Sequence, residues 1–363
     1  AFTGLEGVER VLASGDTRGS AVFEPGIQVD VRVVEDESFP AALHYFTGSK
    51  EHNVRMRQLA KDRGWKLNEY GLFDGESPLR TKDENELFAH FGMDWMPPEL
   101  RENTGEVEAA SEGALPELVE TADVKGFVHL HSNWSDGKMS IERLVEETRK
   151  RGGSYLVVAD HSKAVSIANG LTEKRVREQW TEIERIDGGL KRFRVFRGIE
   201  VDILRDGSLD YDDGLLGGFD CCIASVHSGF AMPAEKMTER IIRAVRNPHV
   251  DMLAHPSGRL LLEREPYAVD MEAVLGACAE NGVAVEINCH PLRLDLDWRF
   301  VRKARELGAK LSVNLDAHDP GDFDYLALGV NVARKGWLEK TDIINCMTAS
   351  RFEKWLNGRN RRA

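Results

Sequence analysis

From Val124 to the end of the chain, short runs rich in Val, Ile and Leu alternate with segments whose apolar residues recur three and four apart. No other feature restricts the fold as strongly. The runs are GFVHLH, SYLVVAD, FRVFRGIEVDI, DCCIASVH, VDMLAH, GVAVEIN and KLSVNLD. Between them lie stretches such as SIERLVEETRKRG, EKMTERIIRAVRN, MEAVLGACAENG and DWRFVRKARELG, most of them closed by Gly or Asn, the usual helix stop. Seven strand–helix units in succession predict an α/β parallel barrel rather than an open sheet with one switch point.

Candidate chemistry gathers where those runs end. His129 and His131 lie in FVHLHS, Asp136 in WSDG, His161 in VVADHS, and Glu200 in FRGIEVD. His227 in IASVHS, His255 in MLAHPSG, and Asp316 and His318 in VNLDAH complete the set. The C-terminal end of a strand is where barrel enzymes place their reacting groups. The H-x-H and D-x-H pairs match the two-residue period of a strand, so both members of each pair are expected on one face. A lone histidine there is more often a packed residue than a ligand. Six of the 11 histidines at such positions, joined by three carboxylates, are hard to assign to chance. Imidazole mixed with carboxylate suits Zn²⁺, Mn²⁺ or Fe²⁺ better than Ca²⁺ or Mg²⁺. Nine donors exceed the needs of one or two tetrahedral ions, so a multinuclear site is expected, and such sites hydrolyse phosphate esters.

The 363 residues allow two or three domains. A net charge of −13 argues against broad electrostatic attraction to nucleic acid, although bound cations would offset carboxylates locally. The five cysteines are odd in number and show no C-x-x-C spacing, as expected of reduced thiols in a cytoplasmic protein. No apolar stretch is long enough to span a bilayer. The segment 101–123 is acidic, rich in Ala and Glu and nearly free of aromatic residues, which predicts a linker with a short helix near Leu115–Val119. Before it, IQVDVRVV after Pro25-Gly26 reads as a strand. The chain opens at Ala1, without Met, and reads as a fragment of something longer.

The series H-x-H, W-S-D-G, D-H-S, G-x-E, S-V-H, A-H-P and D-A-H resembles the PHP (polymerase and histidinol phosphatase) domain, from about 124 to the end. The resemblance implies a distorted (βα)7 TIM-like barrel over 124–363, holding three divalent ions. Carried over, His129, His131, Glu200 and Asp316 would hold one ion; Glu200 would share a second with His227 and His255. Asp136, His161 and His318 would hold the third. It further implies Mn²⁺ as the activating ion, with Zn²⁺ or Fe²⁺ possible, and His131, Glu200 and Asp316 as catalytic. Arg259, Arg293 and Lys163 follow strand ends and are candidates to grip phosphate, Arg259 foremost. Asp202 shares a strand face with Glu200 and is expected to support it or to be a plain surface carboxylate; His290 is left outside the site.

GIQVDVRVV, YFTGSKEHNVRMR and GWKLNEYGLF resemble the palm end (1–38) and thumb (39–100) of bacterial family X DNA polymerases. That likeness matches Asp30 to a palm carboxylate. It places Tyr45, Phe46, Gly48 and Asn53 along an incoming nucleotide, with Arg57 near the template. Asp30 alone cannot hold two Mg²⁺ ions, so nucleotide transfer is not expected of this polypeptide. The function implied is 3′–5′ removal of nucleotides from a DNA primer end, with 3′-phosphatase or abasic-site cleavage beside it. A phosphomonoesterase of the histidinol phosphatase kind, and an inactive DNA-holding module, are the alternatives. Oligomeric state is not legible.

Overall fold

The structure, a computed structural model, describes residues 1–360 and divides into two compact units, Ala1–Leu115 and Pro116–Ala363. The first unit opens with a three-stranded antiparallel sheet, Val8–Ser14, Arg18–Phe23 and Ile27–Arg32, turned through Gly26 at φ +94°. Helices Phe39–Thr47 and Lys50–Asp62 follow, then a second small sheet spanning 65–79 and helix Glu84–His90. Met56, Leu72, Leu87, Phe88 and Met96 form its core.

The stretch 101–115 departs from the linker expectation. It folds onto the first unit through helix Glu106–Glu112, with Val107 and Ala110 packed into the core. Glu106 is wholly buried against His52, Nδ1 to Oε1 2.7 Å, and Arg101 is buried against Glu84. The expected helix near Leu115–Val119 is absent; Leu118, already within the second unit, instead forms an isolated bridge with Glu339 of that same unit. Composition misled here because the partners of these charges lie 17 and 54 residues away.

The second unit is the barrel. Its strands are β1 (Gly126–Leu130), β2 (Tyr155–Val158), β3 (Arg194–Asp202), β4 (Cys221–Ser225), β5 (Met252–Leu253), β6 (Ala284–Asn288) and β7 (Leu311–Asn314). Each pairs in parallel with the next, and His131 N donates to Ala317 O at 3.0 Å, bringing the last strand's exit back to the first. The strands are buried on both faces, which explains their near-continuous apolar runs. Val128, Val157, Phe196, Ile223, Met252 and Ala284 fill a layer closed by Phe352 of the last helix.

The intervening helices begin where side chains cap them. Ser140 Oγ accepts from Arg143 N at 3.2 Å, and Asp270 Oδ1 from Ala273 N at 3.0 Å. Such a cap contributes ~1 kcal/mol. Gly282 ends the second of these helices at φ +65°, a conformation open to glycine. Four of the five cysteines are buried, and none of the five forms a disulfide. No helix among the described residues is long and apolar enough to cross a membrane.

Candidate metal centre

All nine candidate donors converge at the C-terminal mouth of the barrel. Glu200, near the end of β3, is wholly buried and stands at the centre. Its Oε1 lies 2.9 Å from His255 Nε2, 3.3 Å from His227 Nε2 and 3.4 Å from His129 Nε2. Its Oε2 lies 2.8 Å from His161 Nδ1 and 3.6 Å from His131 Nε2. Burial alone would push this carboxyl up, but His161, His227 and His129 outweigh it and hold it well below the usual range.

The paired residues meet by a different route from plain strand alternation. His129 sits at φ +62° in an irregular stretch of β1, His255 at φ +26° and Asp316 at φ +52°. Asp316 and His318 lie beyond the end of β7 rather than on it. Backbone strain of this kind costs about 1–3 kcal/mol per residue and persists where the surroundings hold it, characteristically at functional sites.

Groups behind the donors fix their orientation. His129 Nδ1 is 2.6 Å from Glu286 Oε2, His227 Nδ1 is 3.1 Å from Asp202 Oδ1, and His318 Nδ1 is 2.9 Å from Asp316 O. Each contact claims the Nδ1 proton and turns the Nε2 lone pair toward the cluster, the arrangement that supports metal-bound imidazoles. Glu286 also accepts from the His255 backbone N–H and from the amides of Asn288 and Asn314. Asp316 Oδ2 accepts from Asn288 Nδ2 at 3.0 Å and faces Arg293 Nε at 3.3 Å.

The turn carrying Asp136 is set by buried Asp160, which accepts from Ser132, Ser135 and Gln179. Glycine is required next to it: a Cβ on Gly137 would come within 2.3 Å of His131 O. Asp136 and His318, each with 34% of the side chain exposed, form the open side; His129, His131 and Glu200 are closed off.

The donor set fits cations. Within four overlapping groups the ligating atoms lie no more than 4.8 Å apart. These groups are His131, Asp136, His161 and His318; His129, His255 and Asp316; His129, His131 and Glu200; and His161, Glu200 and His227. Sharing is wider than the three sets drawn from the sequence, since His161 also joins Glu200 and His131 also joins Asp136. His129 Nε2, His131 Nδ1, His161 Nδ1 and Glu200 Oε2 are buried polar atoms without a hydrogen-bond partner. His161 Nδ1 and Glu200 Oε2 approach closely without hydrogen-bond alignment, leaving lone pairs aimed at shared space. The carboxylates also call for positive charge. Against the opposing effect of burial, Glu200 and Asp202 push the His227 imidazole up to about 9, and Asp136 and Asp316 do the same for His318.

Arg259 does not reach this cluster. Its Nε donates to Arg293 O at 2.8 Å, Nη2 to Leu294 O, and Nη1 pairs with Asp297 at 3.3 Å. It braces the loop that presents Arg293, and its donors are taken by carbonyls that local sequence could not reveal. Lys163 pairs with Glu173 at 3.6 Å, and His290 belongs to none of the donor groups. Glu286 was missed from the sequence; its signal was a carboxylate in the middle of an apolar strand, as at Glu200.

In the first unit, Asn53 Nδ2 donates to Tyr45 O, Gly48 O and Ser49 O, which fixes the YFTGS turn. A Cβ on Gly48 would meet His52 at 2.8 Å. Arg57 Nε donates to Asn53 O at 3.3 Å, and Phe46 is exposed. Asp30 is exposed, receives Gln28 Nε2 at 3.1 Å, and joins no cation-sharing group among the described residues.

Residues 42–102 match the DNA polymerase beta thumb family and residues 128–290 the PHP domain family. The chain is 42% identical, over 97% of its own length, to the DNA polymerase/3′-5′ exonuclease PolX of Bacillus subtilis, and spans 62% of that protein. It is 29% identical to a probable phosphatase of Thermoanaerobacter over 49% of this chain and 73% of the phosphatase. A zinc-containing histidinol phosphate phosphatase structure from Lactococcus lactis aligns with 58% of this chain and 93% of its own, at 15% identity and TM-score 0.46.

Proposed function

We propose that this chain, which resembles a bacterial family X DNA polymerase along nearly its whole length, is a divalent-metal-dependent phosphoesterase that removes nucleotides from DNA 3′ ends. One observation carries the reading: donors from six of the seven strand ends meet around Glu200, with imidazoles pre-turned by carboxylates behind them. Divalent cations held there would supply polarisation of the phosphoryl oxygens and acidification of an attacking water. Imidazole–carboxylate donors suit Mn²⁺, Zn²⁺ or Fe²⁺, the family resemblance favours Mn²⁺ as the activating ion, and nine donors suffice for three ions.

The chain's own residues then have separable tasks. Glu200 and Asp316 supply buried negative charge that draws the cations together. Asp136 and His318 stand at the open side, where a phosphoester enters. Arg293, beside Asp316, is placed to hold a phosphoryl oxygen, the role first expected of Arg259. The first unit, read as palm end (1–38) and thumb (39–100), would present DNA, with Tyr45, Phe46, Gly48, Asn53 and Arg57 along the bound strand.

The test is a 5′-labelled primer, annealed or single-stranded, incubated with Mn²⁺ or with EDTA. A ladder shortening from the 3′ end only with metal supports the reading. Turnover of a small aryl phosphate with an intact primer would move it to a phosphomonoesterase.

A further inference from the structure

Most of the donors that meet around Glu200 are buried, and Asp136 and His318 are their open side. A single strand reaches buried donors more readily than a paired end does, and the mouth carries two features suited to freeing one.

Ile167 is 98% exposed and Leu262 fully so, whereas the next most exposed large apolar side chain of the barrel unit, Leu307, stands at 40%. Single exposed apolar residues are ordinary on protein surfaces. These two differ in placement and in rigidity. Ile167 lies on the loop that follows His161 after β2, and Leu262 on the loop that follows His255 after β5. Strands β2 and β5 are three apart in a seven-stranded barrel, so the tips rise on opposite sides of the mouth.

Neither tip is a slack loop. Leu262 crowns a tight hairpin in which Leu260 and Arg264 exchange backbone hydrogen bonds at 2.8 and 2.7 Å. It is held at φ +67°, a conformation that side-chain-bearing residues resist. Arg264 Nε ties the hairpin to Gly258 O at 3.0 Å, and its guanidinium lies over Phe230 at 4.0 Å. Leu261 N reaches Leu292 O at 2.5 Å, tying this loop to the one after β6. Ile167 sits in a short 3-10 turn closed by Asn169 at φ +55°, whose amide donates to Trp134 O and Ser135 O on the turn that carries Asp136. Each tip is thus built into the same backbone that places the candidate donors.

We propose that Ile167 and Leu262 are apolar wedges that enter base steps at a DNA end and part the strands, so that one 3′ terminus drops into the site. Apolar side chains inserted between bases unstack them, and each loop carries one cation near its foot, Lys163 beside Glu173 and Arg264 over Phe230. This rests on the phosphoesterase reading for its purpose, but its physical content is strand separation.

The experiment compares the wild-type chain, the double variant Ile167→Ser/Leu262→Ser and a control, Leu328→Ser, on a helix of the outer layer. Two readouts are taken: the ratio of kcat/KM on a blunt duplex to that on the same strand alone, and the fluorescence of 2-aminopurine at the duplex 3′ terminus on binding. The proposal expects the ratio to fall roughly tenfold in the double variant only, and the brightening seen with wild type to be lost. An unchanged ratio, or no brightening with wild type, overturns it. The fluorescence readout needs no turnover, so it decides the wedge even if hydrolysis of every ester fails. Loss of self-association in the double variant with the duplex ratio intact would assign the tips to a protein contact and overturn the proposal too.

Discussion

In the N-terminal unit the buried guanidinium of Arg101 meets Glu84 through two hydrogen bonds, 2.5 and 3.1 Å, and His52 meets Glu106 at 2.7 Å. In the barrel the buried carboxylate of Glu200 meets five imidazoles, and Asp136, Asp202, Glu286 and Asp316 stand around the same rings. The residue types are alike and the balance is not. Glu84 and Glu106 each have their own cation or donor, so these two charge pairs are closed. In the barrel, Arg293 is the one permanently charged side chain touching the cluster among the described residues. The balance there must come from protonated imidazoles or from bound cations. A closed charge pair is a brace, and an open set of lone pairs is a site.

The largest effect expected from this contrast lies at Glu200. Glu200→Ala should lower phosphoester hydrolysis by about 10³-fold or more and reduce the bound metal, while circular dichroism stays near wild type. His131→Ala should behave similarly. Full activity in both variants would show that the open set is not the site.

Arg101→Ala tests the other half. It leaves Glu84 buried without its partner, which should cost about 3–5 kcal/mol in urea unfolding of the N-terminal unit. Replacing both members with Met should recover most of that loss, and aryl phosphate turnover per folded molecule should stay unchanged. A neutral Arg101→Ala would mean that the pair does not brace the fold.

The sequence made the barrel and its nine donors legible for one physical reason. Imidazoles and carboxylates ending apolar strands are costly to place there without a purpose, so their pattern is sparse and informative. Non-local partnerships were beyond its reach. Arg259 looked like a phosphate ligand until the loop at Arg293–Asp297, 34 to 38 residues onward, took its donors. The acidic, aromatic-poor stretch after residue 100 looked like a linker because nothing local shows that Glu106 pairs with His52. Glu286 was hidden among Val and Ile, although a lone carboxylate inside such a run also marked Glu200.

Glu286→Gln sharpens the contrast at an intermediate scale. The amide keeps the size of the side chain but loses the charge that holds the Nδ1 proton of His129. Affinity for Mn²⁺, measured by titration calorimetry, should fall by about 10–100-fold with the fold retained. Wild-type affinity would reduce Glu286 to a packing residue.

The smallest effect separates the units by pH. Burial first, then the positive surroundings of His52 and Arg101, lowers the His44 pKa to about 3. An unfolded chain takes up a proton at this residue near pH 6.5, whereas the folded unit does not until near 3. Stability from this group is therefore present above pH 6.5 and is lost as pH falls toward 3, by at most about 1.4 kcal/mol per unit. Urea midpoints of the N-terminal unit should drop between pH 6.5 and 5.5, and His44→Leu should flatten that dependence. If the slope survives the substitution, His44 does not carry the acid sensitivity, and burial does not hold its imidazole neutral in the folded unit.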